Sequence, residues 1–304
     1  MNISKKALMS VLMALTSLTA MAQPYYHIMK RDDGNLTEEA AYNAKKYKIK
    51  VDMVKPMPPD AIGGLITIES YECDRSPLKR SFYFTKHGNV YYNNSEGKFH
   101  FENSQLDYPS GTYSKDHCGH FRWGKTIEEC IDDSKDNSSL YYTDATETDF
   151  YFANPENLPK LQEDLGNEKW AVLSYCEWDY VRKALGQESW SIDGQRCMLI
   201  DTTPGKSLLK EIFKNKVNTN MTKEEFEYYE AQGLVCLPAL GERRDSHLFM
   251  STTEESCYWS CTPVNYANYS GSSWVMGFST LSNFMAGFPH DSGYGVRLVI
   301  LADD

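Results

Sequence analysis

Nothing in this chain reads as a membrane span. Its N-terminal apolar run, Ala7 to Leu18, is about a dozen residues long, where a spanning helix needs roughly twenty. Positive charge is also scarce: 31 Lys+Arg stand against 42 Asp+Glu, a net charge of −11. A surface this acidic repels phosphate backbones, which excludes nucleic acid as a partner, and no basic amphipathic helix marks a membrane surface. There is no Gly-x-Ser-x-Gly elbow, and the seven histidines lie scattered without a triad pattern. Internal repeats and low-complexity tracts are absent too. Cysteine is sparse, eight in 304 residues, well short of a disulfide-built scaffold.

What is present begins with a targeting segment. Lys5 and Lys6 precede the apolar run, and Ala20-Met21-Ala22 offers a small-x-small cleavage site. Gln23 follows the cut, so no new N-terminal cysteine is there to carry a lipid. The expectation is an exported protein, periplasmic, on the outer cell surface or secreted, without membrane insertion. Cleavage removes two lysines and no acid, leaving 29 Lys+Arg against 42 Asp+Glu, or −13. All eight cysteines, 73, 118, 130, 176, 197, 236, 257 and 261, survive it. An oxidising compartment permits disulfides, but sequence does not set their pairing. If Cys257 to Cys261 is extended, their Cα atoms stand roughly 13 Å apart, beyond the ~7 Å a bridge tolerates.

Residues 23–60 read as an appendage with a short helix capped by Thr37, closed by the linker Pro56-Met57-Pro58-Pro59. From residue 61 the texture is β. Leu65-Ile66-Thr67-Ile68, Ser81 to Thr85, Val90-Tyr91-Tyr92 and Lys98 to Phe101 alternate with Asn- and Gly-rich turns, as antiparallel strands do. Residues 103–167 read as long polar loops. Ser174-Tyr175-Cys176-Glu177 and Thr222-Lys223-Glu224-Glu225 are two capping boxes, each opening a helix. Trp178, Val181 and Leu185 form one buried stripe, and Gly186 and Gly233 are the stops. Leu234 to Ala239 is an apolar strand, and Gly293 to Val299 a closing one. The fold class is α+β, with a mostly antiparallel sheet, two marked helices and long loops.

Several of these segments, in order, match a known family. They are Phe82-Tyr83-Phe84-Thr85 with Gly88 to Tyr92, Phe121-Arg122-Trp123-Gly124, and Trp170 to Ser174 followed by Glu177-Trp178-Asp179-Tyr180. Leu237 to Arg243 follows, then Tyr258-Trp259-Ser260 and Gly293 to Val299. Together they resemble the Fibrobacter succinogenes major paralogous domain family over residues 61–304. The resemblance implies a C-type-lectin-like, sulfatase-modifying-factor-like fold and a binding or surface role rather than a reaction. Cys261, Leu240 and Glu242 depart from the family pattern.

Candidate chemistry is thin. Pro204-Gly205-Lys206-Ser207 has Ile200 where a phosphate loop needs glycine, so it reads as a turn before Leu208. His117, Cys118 and His120 with Cys130 carry zinc-ligand chemistry but lack a second cluster, and a loop disulfide or free polar residues is the plainer reading. Asp132, Asp133, Asp136, Asp144, Glu147 and Asp149 offer oxygen ligands for calcium without calcium-loop spacing. Cys257 and Cys261 resemble the copper-binding pair of formylglycine-generating enzymes, but at a spacing of four rather than five and without the accompanying Arg-Gly-Gly-Ser stretch. The remaining signal is aromatic and amide density between 258 and 294. Flat rings with amide donors suit sugars or a protein partner, although Tyr258, Trp274 and Phe278 also read as sheet core.

The sequence therefore predicts an exported, non-catalytic binding module with no cofactor. Its partner is a glycan or a surface protein, and its ligand face is formed by loops 264–292 with Tyr266, Asn268, Tyr269 and Trp274. The alternatives are a structural or fimbria-associated surface protein that binds protein, and a formylglycine-generating-type copper oxidase.

Overall fold

A computed structural model describes residues 49–70, 78–107, 114, 116–131, 145–166, 168–204, 207–215, 219–244, 247–249, 256–264, 271–279 and 282–302. The targeting segment 1–22 and the appendage helix lie outside the described residues, as do Cys73, Asp132, Asp133, Asp136 and Asp144. The chain divides at Lys46/Tyr47, and everything described belongs to the second unit. The architecture is α+β, with 16 strands in mostly antiparallel sheets and five helices among the described residues. No described helix is long and apolar enough to cross a membrane.

The largest sheet has the order β1 (Ile49–Asp52), β2 (Ala61–Ser70), β3 (Leu78–Thr85), β16 (Leu298–Leu301), β6 (Trp170–Val172). The closing apolar strand is thus not at an edge. β16 pairs with β3 through Val299↔Phe84 and with β6 through Val299↔Ala171. One boundary is corrected here. The proline run 56–59 does not separate an appendage from the domain, because β1 on its far side pairs with β2, Ile49 opposite Ile68. Prolines suit this place because the connection between two antiparallel neighbours needs no ladder hydrogen bonds.

A hairpin of β4 (Val90–Asn93) and β5 (Lys98–Phe101) follows, as its aromatic runs predict. Between it and β6, the described residues of the polar stretch hold α1 (Ile127–Ile131), two 3-10 turns and α2 (Leu158–Leu165). A second sheet has the order β10 (Leu234–Pro238), β8 (Gln195–Asp201), β7 (Gly186–Ile192), β9 (Asn220–Met221), flanked by α4 (Leu208–Asn215) and α5 (Lys223–Glu230). Short β11 (Glu242–Arg244) and β12 (His247–Phe249) pair with each other. β13 (Ser256–Pro263), β14 (Ser272–Phe278) and β15 (Asn283–Pro289) make a three-stranded sheet.

Both capping boxes form. Ser174 Oγ accepts from Glu177 N, and Glu177 Oε2 accepts from Ser174 N at 2.7 Å, opening α3 (Tyr175–Ala184). Thr222 and Glu225 do the same for α5. The predicted stripe of α3 is buried, with Trp178 and Val181 fully enclosed against Phe84, Tyr258 and Val299. Trp123 and Trp259 anchor a second apolar cluster, and Trp190 a third below the second sheet.

Glu177 does more than cap. Its side chain is 0% exposed and accepts both carboxylate bonds from Arg80 Nη1, at 2.9 and 3.1 Å. Arg80 is 27% exposed, so losing the carboxylate costs only part of the roughly 3 kcal/mol or more of a fully buried pair, added to the about 1 kcal/mol of a lost cap. Glu177→Ala is therefore expected to lower the unfolding free energy by about 3 kcal/mol, against about 1 kcal/mol for Glu225→Ala. Paired urea titrations check this, and equal losses would contradict it.

Candidate binding face

The segment expected to be ligand-bearing loop is largely sheet: β14 and β15 occupy 272–278 and 283–289. Tyr266, Asn268 and Tyr269 lie outside the described residues. Trp274 is described, and it stands on a strand rather than a loop. It is half-buried, with its ring 4.5 Å from that of Tyr175 at 44°. Tyr175 is the first residue of α3, and its backbone N–H donates to Thr262 Oγ1 at 3.0 Å. Thr262 Oγ1 in turn donates to the exposed Glu147 carboxylate at 3.3 Å. Trp274 lies opposite Gly287 in the ladder, so its neighbour presents no side chain there. Its indole N–H has no hydrogen-bond partner among the described residues. A half-exposed ring with a spare donor, next to a second ring and a carboxylate, is chemistry that can hold a sugar or an amide.

This face is pinned by indoles. The β13–β14 register shifts between Trp259 and Pro263, which frees main-chain carbonyls of β13 from the ladder. Trp178 Nε1 donates to Trp259 O and Trp123 Nε1 to Ser260 O, both at 3.3 Å. Ser260 Oγ donates to Trp274 O at 2.8 Å. The bulge therefore exchanges ladder bonds for bonds to two buried tryptophans, which hold Trp274 in place. Of the other predicted rings, Tyr258 and Phe278 are core, as the sheet reading of them required.

The remaining candidates are spent elsewhere. His117 pairs with Glu102 and stacks on Tyr91 at 3.9 Å and 5°. His120 is buried, and its Nε2–H donates to Leu240 O at 2.8 Å. Burial, together with the Arg243 charge, lowers its pKa to about 4. Of the two plainer readings of this cluster the loop disulfide fails: Cys118 and Cys130 are buried and not disulfide-bonded, with Arg243 Nη1 against Cys118 Sγ at 3.8 Å. A guanidinium in that position repels a cation. Asp149 is held by Lys125 at 2.8 Å. Ser207 accepts from Lys210 N at the start of α4, while Gly205 and Lys206 lie outside the described residues.

Neither Cys257 nor Cys261 is disulfide-bonded, and both are at most 4% exposed on the same strand, β13, so the two do not pair with each other. Burial pushes the Cys261 thiol well up, away from the thiolate that binds metals. Among the described residues, no three His, Cys, Asp or Glu side chains gather as a ligand set. Cys176 is disulfide-bonded, to a partner outside the described residues.

No protein-family model matches the chain, and neither a curated protein nor a solved structure does.

Two outcomes follow from the buried groups. His120 stays neutral in the fold while it titrates near 6.5 when unfolded, so the unfolded chain binds more protons between pH 6.5 and 4. Stability is then full above about pH 6.5 and falls by about 2 kcal/mol by pH 5. His120→Gln should remove this slope from urea midpoints measured across that range, and an unchanged slope would contradict the assignment. For the thiols, a thiol reagent without reductant should find almost none in the native protein and six after denaturation.

Proposed function

We propose that this chain is an exported, non-catalytic binding module, built as a C-type-lectin-like variant of the α+β architecture, that recognises a glycan or another neutral surface ligand. The observation that carries the reading is Trp274. It is half-exposed with an unused indole donor, it lies beside Tyr175 and the Thr262–Glu147 pair, and it sits within a segment that has no charged residue from Ser256 to Pro289. Tyr266, Asn268 and Tyr269 precede β14 directly in sequence and extend the same aromatic and amide chemistry toward it. An uncharged strand segment with the Glu147 carboxylate as a hydrogen-bond acceptor at its side suits a neutral, hydroxyl-bearing ligand better than an anion.

The family resemblance supports the lectin-like fold assignment, and the targeting segment supports export. A role as a structural or fimbria-associated surface protein is the second reading. It is favoured by the open outer edge of β15, which can take up another strand.

The test is a glycan-array screen of residues 23–304, with and without chelator, repeated with Trp274→Ala. Specific binding is expected to drop at least tenfold in the variant while the unfolding midpoint moves little. A blank array, or a variant that binds as well as the parent, would remove Trp274 from the ligand face.

A further inference from the structure

β15 is the outermost strand of its sheet, paired on one side with β14 over all seven residues from Asn283 to Pro289, without a register shift. No described strand lies along its other side. The opposite edge of the same sheet is treated differently. β13 is covered there, with Trp259 N donating to Gly295 O at 3.0 Å and Cys261 N to Leu173 O at 3.2 Å. Residues 283–288 are all half-buried, and Pro289 alone is exposed. Open edges are ordinarily blunted by lysine, proline, a bulge or an inward charge. β15 has only Pro289, at its end. It belongs to a stretch of 34 residues, Ser256 to Pro289, without one Asp, Glu, Lys or Arg, in a chain that is 24% charged.

We propose that the outer edge of β15 pairs with β15 of a second copy of this chain, antiparallel about a two-fold axis at Ala286, making one six-stranded sheet across the dimer. The strand's own sequence argues for this occupant. Centred on Ala286, Asn-Phe-Met-Ala-Gly-Phe-Pro places Phe284 opposite the partner's Phe288, and Met285 opposite the partner's Gly287. Aromatic pairs and large-against-small pairs are what a cross-strand contact favours. Both faces of the new pair continue existing packing: Phe284 and Phe288 lie against the cluster around Trp259, and Met285 against the cluster around Trp178. A two-fold contact uses one patch twice. Two copies of a strongly acidic chain meet repulsion over most of their surfaces, and this strand brings them together without opposing like charges.

This inference does not depend on the glycan reading, because Trp274 and the β15 edge can be tested separately. Sedimentation velocity of residues 23–304 over a range of concentrations should show reversible conversion to a species of twice the monomer mass. Ala286→Cys gives the decisive readout. Directly opposed residues in an antiparallel pair have Cα atoms about 4.5–5.5 Å apart, inside the window of about 4.4–6.8 Å for a disulfide. Mild oxidation should convert most of this variant to a covalent dimer on a non-reducing gel, and leave a Ser279→Cys control monomeric. A parent protein that stays monomeric throughout overturns the proposal, and would leave the edge to an extended segment of another protein. A dimer that cross-links no better at 286 than at 279 overturns it as well, since its contact would lie on another face.

Discussion

The guanidinium of Arg297 is the joint on which the two main sheets depend. It is fully buried just ahead of β16, and its Nη2 donates to Thr85 O at 3.1 Å, at the end of β3, and to Gln105 Oε1 at 2.7 Å. Gln105 carries the connection on, accepting from Cys236 N of β10 at 3.0 Å and donating to Glu230 of α5 at 2.6 Å. Two side chains in series thus link the five-stranded sheet to the four-stranded one. Burial pulls its pKa down to about 10, which still leaves it charged at neutral pH. Its Nε and Nη1 and the Asn89 Oδ1 are buried without a hydrogen-bond partner among the described residues. Groups of that kind are where proteins keep internal water. An apolar residue at 297 would leave Thr85 O and Gln105 Oε1 one donor short, so the position admits no simple replacement.

What the sequence discloses and what it conceals divide along physical lines. The capping boxes at Ser174 and Thr222 were legible because three-residue spacing of a hydroxyl and a carboxylate has one common structural meaning. Strands β2 to β5 were legible through their aromatic and β-branched runs. The hairpin of β7 and β8 went unread although Asp193-Gly194 is a strong short turn signal; both residues have positive φ, 47° and 85°. β14 and β15 were read as loop because Ser, Asn and Gly dilute their strand propensity. Gly277 shows why the dilution is there. A Cβ at that position would lie 2.4 Å from the Phe284 ring, so the residue that looks like loop is what lets the neighbouring strand's aromatic side chain cross the sheet. Trp274 was singled out by its surroundings in sequence, but the ring it packs against, Tyr175, lies about a hundred residues away. No local pattern could supply it.

The cysteines show how geometry governs chemistry in this fold. Cys197 and Cys236 share an apolar cluster, and their thiols interact. In the ladder, however, Cys236 faces Leu199 while Cys197 faces Pro238, which makes the two cysteines diagonal neighbours. Diagonal Cα atoms stand about 7–8 Å apart, at or beyond the reach of a bridge. Cys257 and Cys261 are kept apart by the extended strand they share. Six thiols therefore remain reduced as packing groups, and the bonded Cys176 is the second residue of α3, near the surface.

β16 lies between β3 and β6, with Val299 facing Phe84 across 215 residues of chain. The entropic cost of closing so long a loop comes before any of its contacts form, and such pairings slow folding more than they weaken the folded state. β7 and β8 are joined by the two-residue Asp193-Gly194 turn, and β10 follows after one local helical excursion, so the smaller sheet closes over far shorter loops and can assemble early. The large sheet then stands open at its centre until β16 arrives, two unpaired strand edges facing each other. Through that interval this chain is most exposed to aggregation and most in need of a chaperone.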